Sequence, residues 1–155
     1  MDDRARIADQ LQRAMVGGAW HGPAVLELLH DVSAEQASAR PIPGGHSIWE
    51  LVLHLSGAYG LVLRRVRGEA RPLSPEEDWP SEPPPTEERW RAALDALRAL
   101  NEEAQRVVAV FPSQRLDDPL VASPPYTAWV QFVGLTQHDL YHAGQIAILK
   151  RALST

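Results

Sequence analysis

The stretch YTAWVQFVGLTQHDLYHAGQIAILKRA, residues 126–152, predicts one long helix that is apolar on two sides. At about 100° per residue, one side carries apolar residues together with two histidines, namely Leu135, His138, His142, Ile146 and Leu149. The other side carries Trp129, Phe132, Val133, Leu140 and Ala147. Such a helix lies at the centre of a bundle or contacts a second subunit as well as its own core, so we expect a homodimer.

Three further stretches repeat apolar residues at helical spacing. The first runs from about Asp3 to Val16, the second follows Ser47 and ends near Gly68, and the third runs from about Thr86 to Phe111. Ser47 and Glu50 form a capping box that fixes the start of the second of these helices. Since no stretch has a convincing strand pattern, the sequence predicts an all-α fold in which four long helices form a bundle.

The connection between the second and third long helices is unusually long and rich in proline and acidic residues. Residues 68–85 contain too many prolines for a helix to be expected there. Fully extended, this segment could reach about 60 Å, roughly twice the length of a 20-residue helix. The third helix can therefore run parallel to the second, which predicts a single four-helix bundle domain over residues 1–155 with a long crossover and up-down-down-up order.

Composition excludes several classes of protein and site. The chain has 155 residues, enough to bury roughly two-thirds of its unfolded surface, so a metal would serve chemistry more than folding. It contains no cysteine, which excludes disulfides, iron–sulfur clusters and thiolate zinc sites. The net charge is −5 and the arginines are scattered, so no nucleic-acid partner is expected. No run approaches the roughly 20 apolar residues of a membrane span, so we expect a cytoplasmic protein without a membrane partner.

Histidine is the residue type that points to chemistry. His138 and His142 are four residues apart on one helical face, the spacing that zinc metalloproteases use in their His-Glu-x-x-His motif. Asp139 stands where that motif has Glu and is shorter, so the protease general-base role is not transferred to it. His54, at the edge of the apolar stripe of the second long helix, provides a third imidazole. Three imidazoles are typical of a catalytic metal site with open positions, and imidazole suits several metals.

Other polar and aromatic residues near these histidines have simpler explanations. Capping explains Glu50, although it could also accept a hydrogen bond from an imidazole. His46 could lie near the mouth of the site but is expected to be structural. Gln145 could orient a ligand or bind substrate but is expected to be solvated. Trp129 and Tyr141 could line a pocket, but aromatic residues at helical spacing are usually core residues.

Three segments resemble the DinB/YfiT-like family of metal-dependent enzymes: GGAWHGPAVLELL (Gly17 to Leu29), RPIPGGHSIWELVLHLSGAYG (Arg40 to Gly60) and HDLYHAGQIAILKR (His138 to Arg151). Their order and spacing cover nearly the whole chain. The resemblance implies a four-helix bundle with a long crossover between the middle helices. The family takes one metal-binding His from the second helix and a His-x3-His pair from the last, and His54, His138 and His142 stand at those positions.

The resemblance implies less about the reaction than about the site. Several relatives transfer bacillithiol, mycothiol or glutathione to electrophiles, or isomerise maleylpyruvate, with a metal that activates the thiol. We therefore expect one divalent ion, Zn, Ni, Fe or Mn, in a thiol S-transferase or a hydrolase that acts on small molecules. The transferase is favoured because no Glu or Asp is evidently placed as a general base beside the triad, and no catalytic residue is assigned. The alternative is a non-catalytic metal-binding module with a role in dimerisation or stress.

Overall fold

The computed structural model describes residues 2–154 of the chain. Within this range the chain forms seven α-helices, a single 3-10 turn and no strand, so the all-α prediction is confirmed. The helices are α1 (Asp3–Met15), α2 (Val25–Leu29), α3 (Ala34–Ser38), α4 (Ile48–Val66), α5 (Pro75–Asp78), α6 (Glu87–Val110) and α7 (Ala128–Leu153).

The four long helices pack in pairs around one hydrophobic core. Helix α1 contacts α6 and α7, and α4 contacts the same two helices. The short helices α2 and α3 lie against α7 and α4 respectively. The four bulkiest fully buried side chains come from α4, α6 and α7, and they are Trp49, Trp90, Tyr59 and Phe132.

Side-chain caps determine where the long helices begin. Ser47 and Glu50 form the expected capping box at the start of α4, with each side chain bonded to the backbone of the other residue. The hydroxyl of Thr86 caps α6, and that of Thr127 caps α7 by accepting a hydrogen bond from the backbone N–H of Val130. The predicted starts of these three helices therefore agree with the structure to within two residues.

The crossover between α4 and α6 contains the one-turn helix α5, so the expectation that residues 68–85 lack any helix was wrong. Ser74 caps this turn, and Pro75 occupies its first position, where the missing proline N–H costs nothing. Helix α5 lies directly on α4 at Gly57, where glycine leaves room for it. A Cβ atom at this position would be only 2.8 Å from the backbone oxygen of Glu77. This close contact brings the residues that follow α5 onto the surface of α4.

Helix α7 has one face in the core and one face exposed to solvent. Leu135, Ile146 and Leu149 are buried as predicted. Trp129 and Tyr141 were expected in the core but are exposed, because their positions on α7 point away from the helices that pack against it. Among residues 2–154, no helix is both long and apolar enough to cross a lipid bilayer.

Candidate metal centre

Three histidines from two helices converge on one point in the protein interior. The Nε2 atom of His138 lies 3.0 Å from Nε2 of His54 and 3.0 Å from Nε2 of His142. His54 is carried by α4, and the other two histidines are one turn apart on α7. The three are the only His, Cys, Asp or Glu group of this kind in residues 2–154 whose candidate ligand atoms all lie within 4.8 Å of one another. The sequence predicted this triad, and the fold brings it together.

The two separations of 3.0 Å fit a metal ion. Two nitrogen ligands about 2.1 Å from one ion lie about 3.0 Å apart when they are at a right angle to each other, as in octahedral or square-planar coordination. Burial, together with the neighbouring His142 and His54, lowers the pKa of His138 to about 4. Burial also lowers the pKa of His142. His138 is therefore neutral at pH 7, as a metal-binding imidazole must be.

Hydrogen bonds at the opposite ring nitrogens orient two of the three imidazoles. Nδ1 of His54 lies 2.8 Å from the backbone oxygen of Asp78, and the carboxylate of Asp78 is 3.1 Å away. Nδ1 of His142 lies 2.7 Å from Oε1 of Gln145. Since these oxygens only accept hydrogen bonds, each Nδ1 carries the proton and each Nε2 presents a lone pair to the centre. Gln145, expected to be a solvated side chain, is thus a partner of the triad.

The third imidazole is oriented differently. Nδ1 of His138 is buried and has no hydrogen-bond partner within the described part of the chain. The ring edges of His54 and His142 pack against it, with ring centroids 4.9 and 4.5 Å away. Packing on α7 and against the other two rings therefore sets the orientation of His138.

A tryptophan from the crossover covers one side of the triad. The indole ring of Trp79 lies between two imidazole rings, with centroids 3.7 Å from His46 and 4.0 Å from His54 and with nearly parallel planes. His46 is held in turn by Glu50, whose Oε2 lies 3.1 Å from its Nδ1. Trp79 and Asp78 were not identified from the sequence. The capping pattern Ser-Pro-Glu-Glu at residues 74–77 was the one signal that a helical turn precedes them.

Glu50 is held by several partners at the edge of the site. Its two carboxylate oxygens accept hydrogen bonds of 2.6 and 2.9 Å from the guanidinium of Arg40. This pairing is the largest cause that lowers the pKa of Glu50 to about 2, and the backbone N–H of Ser47 contributes in the same direction. Glu50 is therefore ionised at neutral pH and has its capping role, as predicted, together with the contact to His46.

A second group of polar residues lies in the core beside His138. The hydroxyl of Tyr59 donates a hydrogen bond of 2.6 Å to Asp139 and accepts one of 2.8 Å from the amide of Asn101. The same amide donates to the backbone oxygen of Leu11. Burial raises the pKa of Asp139 to about 8. The protonated Asp139 thus links α7 to α4 and α6, and it contributes to the position of α7 rather than to proton abstraction.

Comparison with known proteins gives a family match. A family model described as the DinB superfamily matches residues 19–146, which is well over half of the chain and includes all three histidines of the triad. Neither the curated proteins nor the solved structures gave a match. The extent of the family match, on an all-helical fold with three convergent histidines, shows that this chain belongs to the DinB superfamily.

Proposed function

We propose that this protein is a metal-dependent enzyme that holds one divalent ion through the Nε2 atoms of His54, His138 and His142. The convergence of these three nitrogens, with two of the opposite nitrogens engaged by Asp78 and Gln145, is the observation that carries the proposal. Three protein ligands leave at least one coordination position for a water molecule or a substrate, which is typical of catalytic sites. Zn, Ni, Fe and Mn are all compatible with the proposal.

Of the two reactions, we favour transfer of a thiol to an electrophile over hydrolysis. When bound, the cation would lower the pKa of a thiol or a water molecule that reaches it. The carboxylates of Asp78 and Glu50 are engaged by His54 and Arg40 respectively, and Asp139 is protonated and bonded to Tyr59. None of them is free to act as a general base for water, whereas a thiol is acidic enough to lose its proton with less help.

The proposed substrates are a low-molecular-weight thiol and a small electrophile. The chain's own residues would supply the geometry of this reaction. His54 and His142 would keep their lone pairs directed at the centre because Asp78 and Gln145 hold their Nδ1 protons. Trp79 would limit the access of water from the side of the crossover. Such thiols are kept reduced in the cytoplasm, so the proposal places the reaction there.

The test is a thiol-consumption assay with matched histidine variants. The wild-type protein, loaded in turn with Zn, Ni, Mn and Fe(II), is incubated with a thiol and an electrophile, and the loss of free thiol is followed. We expect consumption that requires the metal, is lost in His142→Ala and is retained in His21→Ala, whose histidine is exposed. Equal consumption by the chelator-treated protein would contradict the proposal. Metal-dependent cleavage of an ester without any thiol would support the hydrolase instead.

As architecture we propose the four-helix bundle with up-down-down-up order. The pairwise packing of α1, α4, α6 and α7 supports the bundle.

As assembly we propose a homodimer formed through the exposed face of α7. Val130 and Tyr141 are exposed on the outer face of α7, where a second copy could cover them. This face also favours the second candidate function, a non-catalytic metal-binding module that dimerises. Sedimentation velocity tests the assembly. Tyr141→Glu should convert the dimer to a monomer, whereas a wild type that is already monomeric would refute the proposed homodimer.

A further inference from the structure

A small cavity lies beside the triad, between α7, the first turn of α4 and the connector that precedes α4. Its volume is about 230 Å³. Leu51 and Leu149 contribute buried apolar surface to it, while Ile42 and Ile148 lie at its exposed rim. No Lys, Arg, Asp or Glu side chain is among the residues that line it. The cavity therefore favours an uncharged, apolar occupant, because a charged group would lose its hydration without gaining a partner.

Two polar side chains, Gln145 and His46, also line the cavity. Oε1 of Gln145 is engaged by His142, while its Nε2 amide has no hydrogen-bond partner within residues 2–154. Nδ1 of His46 lies 3.1 Å from the carboxylate of Glu50, so Nε2 of this ring remains available for a further hydrogen bond. The cavity thus offers an amide donor and an imidazole nitrogen on an apolar surface, a combination typical of small-molecule sites.

The same two side chains connect the cavity to the triad. Gln145 touches the cavity with its side chain and holds Nδ1 of His142. His46 lines the cavity and stacks on Trp79, which stacks on His54. An occupant of the cavity would therefore lie next to groups that are in direct contact with two of the three proposed metal ligands.

The volume limits the size of the occupant. A dry apolar cavity of about 150 Å³ holds one benzene molecule. A cavity of about 230 Å³ can therefore hold a ring or a branched chain of roughly 6 to 10 non-hydrogen atoms. A whole low-molecular-weight thiol of the peptide or sugar type is larger and carries charges, so it does not fit this description.

We propose that the cavity binds the apolar part of the electrophilic substrate, an uncharged group of this size whose carbonyl oxygen accepts a hydrogen bond from Nε2 of Gln145. The assignment of this ligand as the electrophile rests on the proposed function. The binding of an uncharged apolar group by the cavity is independent of the proposed function, because none of the residues that line the cavity is a proposed metal ligand.

The probe for this proposal is 4-fluoroacetophenone, whose fluorine signal broadens and shifts on binding in ¹⁹F NMR. Its dissociation constant is measured for the full chain, both chelator-treated and metal-loaded. We expect binding in both states and a loss of about ten-fold or more in Ile148→Glu and in Ile42→Glu, which place a carboxylate at the rim from two different elements. Val110→Glu is the matched control, since it places the same charge on an exposed apolar residue of α6 that does not line the cavity.

Two related compounds test the chemistry of the site. We expect 4-fluoroethylbenzene, which lacks the carbonyl, to bind several-fold more weakly than the ketone, and 4-fluorobenzoate not to bind. Equal binding of the ketone to wild type and both rim variants, or binding of the benzoate as tightly as the ketone, would overturn the proposal. Metal binding without ketone binding would refute the cavity assignment alone. Ketone binding by a protein that takes up no metal would refute the proposed function alone.

Discussion

Nδ1 of His54 lies 2.8 Å from the backbone carbonyl oxygen of Asp78, so the crossover between the second and third long helices is a structural part of the candidate metal centre. The contact depends on the close approach of α5 to α4 at Gly57. A segment that links two helices thereby fixes the tautomer of an imidazole whose opposite nitrogen faces the other two histidines.

The first prediction concerns the close contact between α5 and α4 at Gly57. Gly57→Ala should weaken metal binding by about ten-fold, because its Cβ would push the backbone of Glu77, and with it the partner of His54, away from α4. Competition with a chromophoric chelator measures the affinity. Gly60→Ala is the matched control on the same helix, since its Cβ would meet no atom within 4 Å, and it should bind metal like the wild type. Equal affinities in the two variants would show that the crossover does not support the site.

The second prediction uses Trp79 as a reporter. Because its indole ring stacks on His54 at 4.0 Å, the binding of Ni(II) at the triad should quench its fluorescence by contact with an open-shell ion. The wild type should therefore lose part of its tryptophan emission on titration with Ni(II), and Trp79→Phe should lose much less. Trp20→Phe, which removes an exposed indole, should retain the quenching. Quenching that survives in Trp79→Phe and disappears in Trp20→Phe would place the ion elsewhere.

The third prediction tests the polar group in the core. Tyr59→Phe removes the hydroxyl that joins Asp139 and Asn101, and it leaves a buried donor and a buried carboxyl group without this partner. The free energy of unfolding should fall by about 1–3 kcal/mol. Urea denaturation measures this change, with Tyr141→Phe as the control because the hydroxyl of Tyr141 belongs to an exposed side chain. A loss of the same size in both variants would argue against a structural role for the buried hydroxyl.

The fourth prediction concerns pH. The guanidinium of Arg40 holds the pKa of Glu50 at about 2, below its ordinary value of 4.5. The folded protein therefore binds this proton less readily than the unfolded chain, so the stabilisation is complete above pH 4.5 and is lost as the pH falls toward 2. Glu50→Gln keeps a capping-box side chain but removes the charge. The stability difference between wild type and Glu50→Gln in urea should shrink from pH 5 to pH 3, and a constant difference would contradict this account.

Local sequence signals predicted the helices and the triad. Caps such as Ser47 and Thr86 mark helix starts through bonds to residues only three positions away, and the spacing of His138 and His142 is a property of a single helix. The contribution of His54 followed from its place beside an apolar stripe. The helix starts and the spacing of His138 and His142 could be predicted because each depends on a short stretch of the chain. The convergence of His54 on this pair joins distant segments, and it was expected only because the family resemblance implied it.

The remaining features depend on how distant segments meet. The stacking of Trp79 on His54 requires the path of the crossover, which has no periodicity from which to predict it. The contact between Tyr59 and Asp139 requires the rotation of α4 against α7, and helical periodicity gives the face of a helix but not its partner. The bond from Gln145 to His142 lies within α7 and was within reach of the sequence, but glutamine on a helix is most often solvated.

The most direct test of the central claim is the metal content of the purified protein, measured by plasma mass spectrometry after incubation with Zn, Ni, Mn and Fe(II). We expect close to one divalent ion per chain in the wild type and in His30→Ala, whose histidine is exposed, and none in His54→Ala, His138→Ala or His142→Ala. Circular dichroism should show that the three empty variants remain helical. A wild type that stays empty, or a His142→Ala variant that keeps its metal, would contradict the account.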